Sequence, residues 1–468
     1  MAALSARIHI LYTGGTIGMG PREPGKPGSP LAPQSFGDLQ RYVPGLAADP
    51  RLSLTFESFE RPIDSSNLGP AHWIEIARVI ERAYASHDGF VILHGTDTLA
   101  YTASALGFVL ENLAKPVVVT GSQLPISDVR TDAVQNLVNA VQVAAGPAFG
   151  LPLIPEVVVV FADRILRGCR VRKVSTTSWA GFDSPNYPPL GTIGDRIRID
   201  TRLVRPRPEA PLLVHTRLDT RVLDIGLTPG LAPGHLETIL LGEADIEAIL
   251  LRTFGVGNAP DDPEFLRVIE RATKSKKVVL NVTQCLEGMV EMGLYAASAG
   301  LVERGVISAL DQTPEAALTK LMWTLGVAQG NRDEVTRQMQ VNQRGEQSFN
   351  LFDLRFGSCA EPARRFAGQA AIDPRFDHAR LSRAVVRIAG LAAPAADAAA
   401  SLAVYLNDVC VAETTGTLTE NLALQLEPAK VEVALARDRQ TASLMLAVAG
   451  EEAQISFRGL FLALITKA

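Results

Sequence analysis

The chain has 468 residues, 47% hydrophobic and 20% charged, enough apolar material for several cores and about three domains. This excludes a disordered, collagen-like or small disulfide-stapled chain. A formal net charge of −5 gives no global case for nucleic acid, and no apolar run reaches the roughly 18 residues that span a bilayer.

The N-terminus lacks a basic segment followed by a long apolar one. Its apolar stretch, Ile8–Tyr12, has strand length and runs into the turn Thr13-Gly14-Gly15-Thr16-Ile17-Gly18. Further strands are expected at Phe90–Leu93, Val117–Thr120 and Val157–Phe161, with helices at Trp73–Ala85, Ala100–Leu113 and Asp132–Ala145. In the second helix Ala103, Leu106, Leu110 and Leu113 share a face at spacings of three and four. Solid β-branched runs alternating with helices indicate a parallel sheet covered on both faces. Such sheets bind ligands at the carboxyl ends of their strands. Chemistry is therefore expected in the turns that follow them.

Arg202–Pro211 is Pro/Arg-rich and reads as an exposed connection. The rhythm resumes with Ile249–Leu251, Pro263–Ala272, Val278–Asn281 and Thr313–Leu325, a smaller α/β domain. From about Phe356 the texture changes to short alternating runs, as in Leu402, Val404, Leu406 and in Val431, Val433, Leu435. Turn signals at Asn407-Asp408 and Thr415-Gly416 separate them. The pattern suggests a sandwich or barrel of about 100 residues, with Ala392–Ala400 as a loop or short helix. The expected fold class is α/β: a large parallel-sheet domain (1–205), a linker (206–225) and a smaller α/β domain (226–350). A C-terminal all-β, sandwich-like extension (351–468) follows.

Three strand-end turns could carry chemistry. The glycines of Thr13–Gly18 let backbone approach a ligand closely, although a tight turn satisfied by its own hydroxyls explains them equally. The turn lacks both the GxGxxG and the P-loop pattern. In His94-Gly95-Thr96-Asp97-Thr98 the backbone N–H groups at a helix start could hold an anion; the plain alternative is an N-cap at Asp97 or Thr98. The third, Asp163–Lys173, gathers Arg164, Arg167, Arg170, Arg172 and Lys173, either a basic patch or a solvated turn. A lysine beside a threonine and an aspartate can take the hydroxyl proton, and would otherwise be a salt bridge. The seven histidines show no metal-ligand spacing, and no G-x-S-x-G elbow is present. Threonine is thus the expected nucleophile and water the acceptor. Cys169, Cys285, Cys359 and Cys410 form no CxxC pair and read as free thiols, consistent with a cytoplasmic location.

Together the stretches TGGTIGM (13–19), DSSN (64–67), HGTDTLAYTASALGFVLENLAKPVVVTGSQLP (94–125), FADRILRGCRVRK (161–173), SPNYPPLG (184–191), LRTFGVGNAP (251–260) and NVTQCLEGMV (281–290) resemble the bacterial L-asparaginase family, type I cytosolic branch. The resemblance spans roughly residues 7 to 345. It implies a large parallel-sheet domain, a smaller α/β domain, and hydrolysis of L-asparagine to L-aspartate and ammonia without metal or cofactor. By motif position Thr16 would be the nucleophile, and Thr96, Asp97 and Lys173 an activating triad. Ser65 and Ser66 would hold the substrate carboxylate, Asp97 its amino group, and Ser122 would lie near the side-chain amide. Asn258 would be contributed across an intimate dimer, within a homodimer or a dimer of dimers.

Three departures stand out. The segment after Met19, GPREPGKPGSPLAPQSF, lacks the Tyr many relatives place there, which implies a mobile lid and slower turnover. Arg252 and Cys285 match an allosteric asparagine site of some relatives. Arg172, however, replaces a small Thr before the catalytic Lys, which implies absent or altered substrate activation. The extension has no counterpart in the core family, and its Ala/Val/Leu content suggests packing or assembly, with a protein partner as the alternative. Competing functions are an ammonia-releasing amidotransferase subunit and a catalytically idle binding protein. Activity toward L-glutamine or D-asparagine stays open, because one methylene is worth about 1–3 kcal/mol.

Overall fold

The computed structural model describes residues 5–23, 31–33, 41–242, 245–292, 296–392, 401–415, 422–449 and 454–468. The expected loop or helix at Ala392–Ala400 lies outside them after its first residue, as do Gly416 and the tip of the expected lid. The chain forms two compact units, one of 1–220, 312–331 and 343–346, the other of 221–311, 332–342 and 347–468.

In the first unit an eight-stranded sheet runs β8-β7-β6-β5-β4-β3-β1-β2 among the described residues. Strands β1 (Ala6–Tyr12), β2 (Leu52–Ser58), β3 (Gly89–Leu93), β4 (Val117–Thr120) and β5 (Val157–Phe161) pair in parallel. β6 (Arg164–Arg167), β7 (Gly191–Ile193) and β8 (Ile197–Ile199) continue it antiparallel. The expected turn Asp163–Lys173 is thus partly a strand, because Arg164–Arg167 pairs back antiparallel onto β5. Apolar runs such as Val117–Val119 are fully buried, with helices supplying the cover. From β1 the chain steps to β2 on one side and returns to β3 on the other. Such a switch opens a crevice at the carboxyl ends of β1 and β3.

Helices α1 (Pro70–Ala83), α2 (Leu99–Val109) and α3 (Ala133–Ala145) match the expected helices to within a few residues. α2 stops before Leu110 because Leu110–Glu111 pairs with Leu213–Val214 as a short ladder. In the second unit β9 (Val222–Gly226), β10 (Ala248–Thr253), β11 (Val278–Thr283) and β12 (Ile307–Ser308) form a parallel sheet. Helix α4 (Pro263–Lys274) begins with Pro at N1 and with Asp262 accepting from the N–H groups of Glu264 and Phe265. Helix α5 (Pro314–Ala328) is capped in the same way by Thr313. It follows the second unit's strands in sequence but belongs to the first unit, where Trp323 stacks on Phe108 of α2.

The described strands within 349–467 form two antiparallel sheets. The strands are β13 (Phe349–Ala363), β14 (Arg365–Ala371), β15 (Leu381–Ala389), β16 (Ser401–Leu406), β17 (Val409–Thr415), β18 (Leu422–Leu426), β19 (Thr441–Ala449) and β20 (Ile455–Lys467). Their orders are β13-β20-β15-β18 and β14-β19-β16-β17. Asn407 and Asp408, both at positive φ, make the expected hairpin turn. One expectation fails: Val431, Val433 and Leu435 belong to a helix, α6 (Pro428–Ala436). Val431, Ala434 and Leu435 are buried at helical spacing while Val433 is 58% exposed. Pro428 at N1 fits a helix start and cannot donate to a central ladder.

The first sheet is buried on its inner face and covered in part on the other. Phe352, Leu354, Val386, Leu462 and Leu464 point into the sandwich core. Alternate residues Leu351, Ala463 and Ile465 pack with Leu310 of the α/β part of the same unit. Alternation across a strand places the two sets on opposite faces. Two ion pairs, Arg383–Glu291 at 2.7 Å and Arg458–Glu303 at 3.3 Å, join the same surfaces.

Candidate active site

The site begins with backbone. β1 ends at Tyr12, and Thr13 turns back to donate both its N–H and its hydroxyl to the Leu93 carbonyl of β3. The two strand-end loops are thereby locked together. Gly15 adopts φ 85°, and a Cβ there would lie 2.3 Å from the Gly95 nitrogen. A Cβ on Gly95 would lie 2.5 Å from Ser65 Oγ. Only glycine permits this stacking of Thr13–Gly18 on His94–Thr98 and of the latter on Asp64–Asn67. It brings the loops of Thr16, Thr96 and Ser65 against one another. Thr16 opens a short 3-10 turn, Thr16–Gly18. After it, Met19–Pro21 pairs antiparallel with Leu31–Pro33, a ladder at the base of the expected lid.

The second loop carries the central geometry. Lys173 Nζ donates to Thr96 Oγ1 at 2.9 Å and to Asp97 Oδ1 at 2.7 Å. The lysine side chain is 20% exposed and the aspartate 64%. Lys173 and Thr96 are 77 residues apart in sequence. They meet because Arg172–Lys173 pairs with Phe182–Asp183, just beyond β6. Thr98 stands at the N-cap position, one of the two expected, but makes no side-chain cap bond: its hydroxyl donates to the Ser65 carbonyl at 2.7 Å, and Asp97 faces the lysine.

Ser65 is buried and its hydroxyl accepts from the Asp97 N–H at 3.3 Å. Ser66 is exposed, and its N–H and hydroxyl both donate to Asp64. Those bonds hold the Asp64 carboxyl below its usual range. Ser122 is buried and donates to the Leu124 carbonyl at 2.6 Å. Its neighbour Gly121 abuts Thr96, since a Cβ there would lie 3.6 Å from Thr96 Cγ2.

The basic run is not a solvated turn. Arg167 and Arg170 are buried; Arg167 pairs with Glu156 at 2.6 Å and Arg170 donates to the Gly345 carbonyl. Arg164 meets Asp183, and Arg172 approaches Glu315 at 3.5 Å. Burial raises the Glu315 carboxyl, with Arg172 opposing.

In the second unit Arg252 donates to Asp224 at 2.8 Å, and Cys285 is exposed just past β11, the strand beside that of Arg252. Asn258 closes a turn in which Phe254 and Asn258 exchange backbone hydrogen bonds. Its Oδ1 is buried and has no hydrogen-bond partner among the described residues. Among the described residues no group of three or more His, Cys, Asp or Glu is placed to hold a metal, and none of their helices is long and apolar enough to cross a membrane.

Sequence reasoning missed the supports. His94 is fully buried and burial pushes its imidazole down to about 4, so it is neutral. Trp73 Nε1 donates to Thr102 Oγ1 at 3.1 Å, which meets His94 Nε2 at 2.9 Å, while Nδ1 meets the Gly95 carbonyl at 2.6 Å. With the proton on Nδ1, every donor in this chain has an acceptor. It fixes the carbonyl immediately before Thr96. Asn136, buried on α3, donates to the Gly121 carbonyl and accepts from Ala162 N–H, tying the Ser122 turn to the end of β5. A buried Asn on an apolar helix face was the available signal.

The asparaginase N-terminal family model matches residues 7–205, and the glutaminase/asparaginase C-terminal domain model matches 221–339. The chain belongs to the asparaginase family. L-asparaginase 1 of Escherichia coli K12 is 40% identical over 342 residues, 72% of this chain and 97% of that protein. The structure of L-asparaginase I from Vibrio cholerae is 40% identical with a TM-score of 0.64, over 74% of this chain and 99% of that one. A probable cytoplasmic L-asparaginase from Campylobacter jejuni, 25% identical, gives a TM-score of 0.60 over 72% and 99%. Residues beyond 339 lie outside both family models, so the family membership rests on the α/β portion of the asparaginase-family chain.

Proposed function

We propose that this chain hydrolyses L-asparagine to L-aspartate and ammonia through an acyl-enzyme on Thr16, in the cytoplasm and as a homodimer or dimer of dimers. The observation that carries the reading is Lys173 Nζ within hydrogen-bond distance of both Thr96 Oγ1 and Asp97 Oδ1. Thr16 Oγ attacks the side-chain amide carbon and its proton is relayed to the departing nitrogen, which leaves as ammonia. Thr96, its proton exchanged with Lys173, activates the water that cleaves the ester. Backbone N–H groups of the glycine-rich loops stabilise the oxyanion. Ser65 and Ser66 receive the substrate carboxylate, Asp97 its ammonium group, and Ser122 lies beside the amide. Asn258 completes the site of a neighbouring copy.

The test is ammonia release from L-asparagine and L-glutamine by purified protein, beside Thr96→Ala. Release from asparagine that the variant abolishes supports the reading. No release from asparagine by the wild type overturns it.

Arg172 is engaged with Glu315 at 3.5 Å, a bulky cation at the position where the resemblance places a small Thr. The rate is expected to rise hyperbolically with asparagine. A sigmoidal curve with a Hill coefficient well above one would contradict this.

A further inference from the structure

We infer that the C-terminal sandwich, through Arg383, positions the turn that carries Asn258. The inference rests on the proposed role of Asn258 at the substrate site.

The argument runs through contacts inside the second unit. β15 carries Ala384, Val386 and Ile388 into the sandwich core, each at most 1% exposed, so Arg383, Val385 and Arg387 face the other way. Arg383 reaches Glu291, and the guanidinium nitrogen lies 2.7 Å from the carboxylate. The pair is 30% and 22% exposed, so solvent screens it less than a free surface pair. Met289, two residues earlier, packs on the cluster of Leu310, Leu351, Ala463 and Ile465. The segment 289–291 is therefore gripped from the sandwich by one apolar contact and one charged contact.

That segment in turn builds the Asn258 turn. Glu291 N–H donates to the Val256 carbonyl at 2.8 Å. Gly257 has φ 106°, and a Cβ there would lie 2.7 Å from Val290 Cγ1. The turn is pressed onto Val290 as closely as glycine allows. From beneath, Asn281 Nδ2 donates to the Gly257 carbonyl and Thr283 Oγ1 to the Gly255 carbonyl. Asn281 and Thr283 sit on a buried strand and are fixed by the α/β core. Glu291 is the turn's adjustable support, and its side chain is held by a residue of the extension. Arg383 is thus a positioning residue. It touches no substrate, yet it sets where Asn258 stands.

The test compares Arg383→Met, Arg383→Lys and Arg458→Met in the full-length chain. Arg458 pairs from the sandwich with Glu303, on a helix that does not lead to the turn. Two readouts are used: hydrogen exchange at the Glu291 amide, and KM and kcat for asparagine. Arg383→Met is expected to speed exchange at Glu291 at least fivefold and to raise KM about threefold to tenfold, with kcat within twofold. Arg383→Lys recovers most of both effects, and Arg458→Met shows neither. Equal effects from Arg458→Met would mean general loosening of the extension and would overturn the inference, as would unchanged exchange in Arg383→Met. Should the wild type release no ammonia, exchange at Glu291 still decides the mechanical link. Faster exchange with unchanged KM in an active enzyme would sink the link to substrate.

Discussion

Replacing Lys173 with Met is expected to lower kcat for asparagine by about 10²- to 10⁴-fold, the range for losing a positioned proton-transfer group. The Lys173 ammonium donates to Thr96 Oγ1 and to Asp97 Oδ1, so in the proposed mechanism one side chain both orients the hydroxyl and exchanges its proton. Methionine keeps the length and apolar stem of lysine but supplies no donor. Thr96→Ala should lose a similar factor. Because the two act as a unit, the double variant should lose little more than either single one. Stability should hardly change, since an ion pair with a 64% exposed aspartate lies in the class worth about 0–1 kcal/mol. Steady-state kinetics beside a denaturation curve separates the two effects. Near-normal turnover by Lys173→Met, or multiplicative losses in the double variant, would remove the lysine from the mechanism.

The largest stability effect is expected at a pair that takes no part in that chemistry. Lys320 and Glu346 are both fully buried and 2.6 Å apart. Glu346 also accepts the backbone N–H groups of Gln343 and Arg344, so it fastens the segment 343–346 to α5. Burial alone would push the Glu346 carboxyl up, but Lys320 and these N–H groups hold it below its usual range. Lys320→Met leaves a buried carboxylate without its cation and should cost about 3–5 kcal/mol. Lys320→Met/Glu346→Leu should recover part of that loss, because removing both charges removes the desolvation penalty as well. A Lys320→Met protein with the wild-type denaturant midpoint would refute this. The pH dependence has a definite sign. The folded carboxyl ionises below its unfolded value, so its contribution is complete above the unfolded range. It is lost as pH falls toward the folded value.

Much of the fold was legible because it follows from local rules. Val117–Thr120 and Val157–Phe161 read as strands from their solid β-branched runs, and Pro263–Ala272 and Thr313–Leu325 as helices, which the structure caps with Asp262 and Thr313. The local rules misled where pattern and context disagreed. Val431, Val433 and Leu435 fit a strand as well as a helix, and packing of Val431 with Ala434 and Leu435 decided for the helix. The β6–β8 strands escaped because their ladders join residues whose pairing no short window reveals.

By itself the sequence determined the strand-end glycine turns, the threonines beside them, the motifs that mark the asparaginase family, and a separate all-β texture after residue 356. Tertiary structure alone decided that Lys173 meets Thr96 across 77 residues, and that the basic run is neutralised by Glu156, Asp183, Glu315 and Asp97. It also decided that His94 is a neutral strut and that the sandwich grips Glu291. The physical reason is common to all of these. Propensity and capping act over a few residues and can be read in order. An ion pair or a buried hydrogen bond exists only where the chain returns, and burial then sets its charge state.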